Sequence, residues 1–164
     1  MSTSVSTFIK DIKCYTVILF AVLAMMLIFA LPAGATSPDD LDTESIIAQC
    51  NAARNANGVL PVAVSESLSK AATQRAKEAV VKRSHTRPDG TRYETAVTTA
   101  PNPYIGENLA GGSYTAATVV TAWMNSAGHR ENILDPEFHY IGVGYYVDAI
   151  GTIYWCELFS DTEY

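Results

Sequence analysis

The sequence has 164 residues, with 17 acidic against 11 basic side chains and a formal charge of −6 at pH 7. An acidic surplus argues against a nucleic-acid partner and against attraction to anionic lipid or wall polymer, which repel a negative surface. Beyond its leader the chain is one domain in size and long enough to bury a core of its own.

Lys10 and Lys13 precede an apolar run from Tyr15 to Leu31, and Pro32 with Ala33-Gly34-Ala35 closes it in a small-x-small cleavage pattern. Residues 1–35 therefore read as a signal peptide cut after Ala35. The run falls just short of the ~20 residues of a membrane span, so an uncleaved anchor is the alternative. Lysines ahead of the run put the remaining chain outside the cytoplasm in both versions. The expected location is secreted and extracellular, or membrane-anchored and facing outside. Cys14 lies ahead of the apolar run and not after it, which argues against lipid acylation there. Residues 36–164 keep 9 basic and 16 acidic side chains, a charge of −7.

Residues 36–42 are a short acidic tail. A first helix is expected over 43–56, with Ile46, Ile47, Cys50 and Ala53 on one face and Gly58 ending it. Leu60-Pro61-Val62 is extended, because the residue before a proline is pushed out of the helical region. Ser65 caps a second helix over 66–82, whose inner stripe is Leu68, Ala71, Ala72, Arg75, Ala76 and Ala79. Arg75 on that stripe is a buried anchor for a carboxylate or a stem on the rim; the rim is the commoner place for a guanidinium. Pro88-Asp89-Gly90 has the composition of a tight turn.

Residues 93–97 suggest a short helix and 104–109 a strand ended by Gly111-Gly112, after which Ser113 or Thr115 caps a third helix to Trp123. Ser126 to Gly128 break that helix, with Gly128 suited to a positive φ at its exit. The polar run His129-Arg130-Glu131-Asn132 follows, anchored by Ile133-Leu134. Ile141, Val143, Tyr145 and Val147 alternate with Gly142, Gly144 and Tyr146, and a turn at 148–151 leads to a second alternating run over 152–159. This predicts an antiparallel hairpin. Gly142 and Gly144 leave one of its faces bare, so another backbone is expected close against it. Residues 161–164 are a C-terminal tail.

Three side chains stand out for chemistry. His85 follows the second helix, Glu107 lies in the Gly-Glu-Asn strand, and His129 follows the third helix; each is 22 residues from the next. Two imidazoles and a carboxylate suit a divalent metal such as zinc, with His85 and His129 as ligands and Glu107 nearby, or a metal-free acid–base set. The spacing matches no compact metal motif. Cys50 and Cys156 make an even pair, which in an oxidising compartment gives a disulfide; two separate buried thiols are the alternative. The chain has no serine-nucleophile elbow, no His-Glu-x-x-His and no glycine-rich phosphate loop.

Five stretches come in a familiar order: S-H-T-R-P-D-G at 84–90, G-E-N-L-A at 106–110, A-W-M-N-S-A-G-H-R-E-N-I-L at 122–134, I-G-V-G-Y-Y at 141–146 and Y-W-C-E-L-F at 154–159. In this the chain resembles the bacterial CAP-domain (SCP-like) proteins, of the superfamily of cysteine-rich secretory, antigen 5 and pathogenesis-related 1 proteins, over residues 43–160. The resemblance implies an α+β fold, an α-β-α sandwich of about three main helices around a small antiparallel sheet. It also implies a cleft with two histidines and two acidic residues. His85, Glu107 and His129 match three of these. The second acid is due just after Trp123, where Met124, Asn125 and Ser126 stand; Glu131 does not occupy the matching place.

The reading is a secreted binding module, non-enzymatic, with a ligand cleft of His85, Glu107, Asn108, Asn125 and His129. The ligand expected is extracellular: a lipid, a glycan, a peptide or a protein partner. Tyr93, Tyr104, Tyr140, Tyr145 and Tyr146 supply aromatic surface near it. A membrane is a partner only if the leader stays uncleaved. The alternative is a metal-assisted hydrolase using the same cleft on peptide or wall material.

Overall fold

The computed structural model describes residues 41–112 and 114–164. The leader and its cleavage site lie outside the described residues, as does most of the acidic tail. Among the described residues no helix is long and apolar enough to cross a membrane.

Among the described residues four α-helices and four strands follow in order: α1 (Thr43–Ala56), β1 (Ala63–Val64), α2 (Glu66–Ala79), β2 (Ile105–Gly112), α3 (Ala116–Met124), α4 (Ala127–Leu134), β3 (Tyr140–Val147) and β4 (Ile153–Ser160). A 3₁₀ turn spans Tyr93–Ala96. Asp42 accepts from the Ser45 N–H and so caps α1, while Leu41 packs on the core. Ser65 caps α2 as expected, by accepting from the Leu68 N–H. That helix ends at Ala79, short of residue 82, where the β-branched pair Val80-Val81 takes over.

The sheet runs β1-β3-β4-β2. β3 and β4 form the expected hairpin, with Tyr140 opposite Ser160 and Val147 opposite Ile153. β2 is antiparallel to β4 along all eight of its residues, so pairing carries the strand through Gly111 and Gly112. The two-residue β1 adds a parallel pair on β3, making the sheet mixed.

Alternation on the strands divides the core in two. Trp155, Phe159, Ile141 and Val143 face α1, α3 and α4, packing with Ile46, Val119, Trp123 and Ile133. Cys156 and Leu158 face α2, with Leu68, Ala72 and Ala76. The sandwich is therefore α-β-α, with one helix on one face and three on the other. Gly142 and Gly144 let α2 lie directly on β3: a Cβ on Gly142 would come within 2.2 Å of the Leu68 carbonyl carbon, and one on Gly144 within 2.2 Å of the Thr73 nitrogen.

The same alternation decides the cysteines. Cys50 of α1 and Cys156 of β4 are buried thiols in different cores, on opposite faces of the sheet. The disulfide is thereby overturned, since one side chain would have to pass through the sheet to reach the other.

Candidate functional site

The polar run at 129–132 lies on a helix of its own, so the expected break at 126–128 is only a short interruption. Chain exit from α3 occurs at Asn125, Ser126 takes an extended conformation (φ −103°, ψ 122°), and α4 starts at once at Ala127. Gly128 is helical within α4 and has no positive φ. A helix here places His129 and Asn132 three residues apart, on one face, and sends Arg130 and Glu131 to solvent. Ile133 on the adjoining row is buried and locks α4 to the core.

The open edge of the sheet is β2. There His85, from the loop after α2, and His129, from α4, meet around Glu107 in a hollow of about 360 Å³ that Tyr93 and Asn132 also line. Asn132 is hidden when 126–128 are read as a helix exit; its spacing from His129 is the signal once α4 is known to be helical. It donates to the Glu107 carbonyl at 3.1 Å and to Asn108 Oδ1 at 2.8 Å. Asn108 itself is fully buried beneath the hollow, where its amide donates to the His129 carbonyl at 3.1 Å and to Glu157 Oε2 at 2.9 Å. Asn125 is exposed and stands outside the lining. Of the five tyrosines only Tyr93 lines the hollow. Tyr104 packs on Phe138 and Tyr145 on Trp155.

Glu107 is held from both sides. Arg75 is fully buried, not on the rim, and its Nε donates to Glu107 Oε2 at 2.6 Å, with Nη2 at 3.3 Å from Oε1. The rest of the guanidinium donates to Glu78 Oε2 at 2.6 Å and the Ser84 carbonyl at 2.7 Å. Burial works against the Glu78 charge, but hydrogen bonds from Arg87, Gln74 and Arg75 outweigh it and hold that carboxyl at about 2. His85 Nδ1 sits 2.9 Å from Glu107 Oε1, and the His85 ring meets Tyr93 edge-on at 5.8 Å. The bond to Glu107 raises the His85 pKa above its ordinary value, whereas burial and the neighbouring His85 lower that of His129.

This donor set does not fit the expected metal. Among the described residues no three His, Cys, Asp or Glu side chains form a group that would hold an ion. Both Glu107 oxygens are already taken by Arg75 and His85, and the guanidinium already offsets the carboxylate charge that a cation would need. Cys156 is no nucleophile either: it is buried against Glu107, and burial pushes its thiol well above the ordinary range.

A mixed sheet sandwiched between one helix and three, with an imidazole-lined hollow on its edge strand, defines a small α+β domain of the CAP type. The model of the cysteine-rich secretory protein family, CAP, matches residues 47–159, and the chain belongs to that family. The protein YkwD of Bacillus subtilis (strain 168) is 37% identical over 115 residues, covering 62% of this chain and 41% of its own. The chain thus spans about two fifths of that relative's length. Among solved structures, an extracellular protein containing a SCP domain from Bacillus anthracis superposes with a TM-score of 0.65 at 21% identity, over 79% of this chain and 45% of its own. An outer surface protein from Borrelia burgdorferi gives 0.64 at 20%, over 74% of this chain and 95% of its own. At such identities these two likenesses speak for the fold alone.

Proposed function

We propose that this chain is an extracellular binding module, non-enzymatic, whose ligand enters the hollow between His85 and His129. The observation that carries the reading is the bonding of Glu107. A carboxylate whose two oxygens are taken by a buried guanidinium and an imidazole is a fixed orienting group and is poorly placed to move protons. The second acid of the family pattern is absent, since Asn125 and Ser126 stand where it is due. What remains at the mouth is a pair of imidazoles with opposed pKa shifts, flanked by the Tyr93 ring and Asn132, which suits hydrogen-bonded recognition. The leader pattern, together with the extracellular and outer-surface relatives of like fold, supports export.

The test uses three probes of the expected ligand classes: N,N′-diacetylchitobiose, a lysophospholipid and a blocked trialanine. Imidazole ring signals of His85 and His129 are followed by NMR as each is added. Saturable movement of both with one probe, lost in His85→Ala/His129→Ala, is the expected result. No movement with any probe, unchanged binding by the double variant, or catalytic consumption of the bound probe would overturn the reading.

A further inference from the structure

A second hollow, of about 470 Å³, adjoins the first along β2 and shares Ser126 and His129 with it. The rest of its lining includes Arg83, Leu109, Gly111, Tyr114, Ala122 and Trp123, and no acidic side chain. On a domain of charge −7 that is a local exception, and it favours an anionic group.

The backbone at this edge has an open rung. Register with β4 pairs the even-numbered residues of β2 with that strand, so the N–H and C=O of residues 105, 107, 109 and 111 face away from the sheet. Three of those four carbonyls are already taken: Ile105 by the Tyr93 hydroxyl at 2.6 Å, Glu107 by Asn132 at 3.1 Å and Gly111 by Arg83 Nη1 at 3.0 Å. Leu109, between them and on the wall of the second hollow, has neither its carbonyl nor its N–H bonded among the described residues, and the Gly111 N–H is likewise open.

The tryptophans supply an independent sign. Both are buried, and the Trp155 indole N–H donates to the Tyr114 carbonyl at 2.9 Å. The Trp123 indole N–H is the buried side-chain polar atom left without a partner among the described residues. Trp123 is 1% exposed and lines the hollow. A buried donor left unmade costs about 1–3 kcal/mol, which an acceptor supplied by a ligand would remove.

We propose that this hollow takes the carboxyl-terminal end of an extended peptide. Its main chain pairs with the open rung at Leu109, an acceptor of the peptide meets the Trp123 indole N–H, and its terminal carboxylate lies toward Arg83. Short strand addition with carboxylate capture is a recurrent way of holding a peptide by its backbone. This rests on the β2 edge being a ligand-binding face, as the proposed function has it, and names the ligand class that the hollow adjoining the cleft takes.

The probe is N-acetyl-trialanine with a free carboxylate, compared with its C-terminal amide, added to the isotope-labelled domain. The expected result is saturable movement of the Trp123 indole N–H signal and of the Leu109 and Gly111 amides, with the amide form binding about tenfold more weakly or worse. Arg83 is exposed, so Arg83→Gln keeps the fold and should remove most of that preference, while Ala122→Gln, which fills the hollow from α3, should weaken both peptides alike. The proposal falls if the peptide leaves Trp123 and Leu109 still at millimolar concentration, or if acid and amide bind equally. Chitobiose or lysolipid moving His85 and His129 while the peptide moves nothing at Trp123 would sink this inference and leave the binding cleft standing.

Discussion

The two faces of the sheet bury charge in opposite ways. Toward α2, Arg75 meets two carboxylates, Glu107 and Glu78, within 2.6 Å. Toward α1, Arg54 and Glu157 are both fully buried and each is hydrogen-bonded to neutral groups alone. Arg54 donates to the carbonyls of Leu60, Ile133, Asp135 and Phe138 at 2.7–3.0 Å, tying α1 to the end of α4 and the approach to β3. Glu157 accepts from the Cys50 thiol at 2.7 Å and from Asn108. Charge is matched to charge under the cleft, where Glu107 must hold an imidazole at the surface. On the α1 face the buried Arg54 and Glu157 are satisfied by dipoles instead. The two halves should therefore respond differently to mutation and to pH.

Arg75→Met is expected to have the largest effect, a loss of about 3–5 kcal/mol in urea unfolding, because it strands Glu107 in the core without its partner. Arg75→Met/Glu107→Gln should recover a substantial part, since the buried charge goes with the cation. A single-variant loss below about 1 kcal/mol, the range of a solvent-exposed pair, would mean that charge matching on the α2 face has little weight.

Next comes Glu157. Burial raises its pKa from 4.5 to about 7, opposed only in part by the bonds from Cys50 and Asn108. A raised carboxyl favours its protonated form in the folded chain, so its contribution is fully present below pH 4.5 and is lost as pH rises through about 7. The swing is on the order of 3 kcal/mol from the size of that shift. Glu157→Gln removes the titration, and the difference between variant and parent stability should therefore grow in the variant's favour across this window. A difference curve flat from about pH 4.5 to 8 would show that Glu157 ionises in the core at no cost, and the contrast between the faces would be gone.

How far the sequence carries this contrast can be traced residue by residue. The hairpin, the bare glycine face and the Ser65 cap are local patterns and are legible directly. The stripe on α2 places Arg75 among Leu68, Ala72 and Ala79, but whether a guanidinium there finds a carboxylate depends on which strand lies below, and only tertiary packing supplies Glu107. The cysteines show the same limit: alternation puts Cys156 opposite Trp155, yet nothing local says which face α1 covers. Asn132 is hidden for a different reason, since small residues at 126–128 mimic a helix exit, whereas Ser126 restarts a helix at the next residue. The convergence of His85, Glu107 and His129 was legible as three polar residues at element boundaries, but the occupied state of Glu107 was not.

The smallest effect is the most local. His85 and His129 should titrate on opposite sides of the ordinary value of 6.5, His85 above it through its bond to Glu107 and His129 below it through burial. For His85 the raised value means that its stabilising charge is present below about pH 6.5 and disappears as pH rises through its own midpoint. The ring is 60% exposed, so solvent screens the pair and little of this will register in global stability. Imidazole chemical shifts report it directly. Glu107→Gln should bring the His85 midpoint down toward 6.5 while moving that of His129 far less, since Glu107 is no part of what lowers it. Between the two midpoints the cleft holds one charged ring and one neutral ring. An unmoved His85 midpoint in Glu107→Gln would show that the matched charges beneath the cleft do not reach its surface.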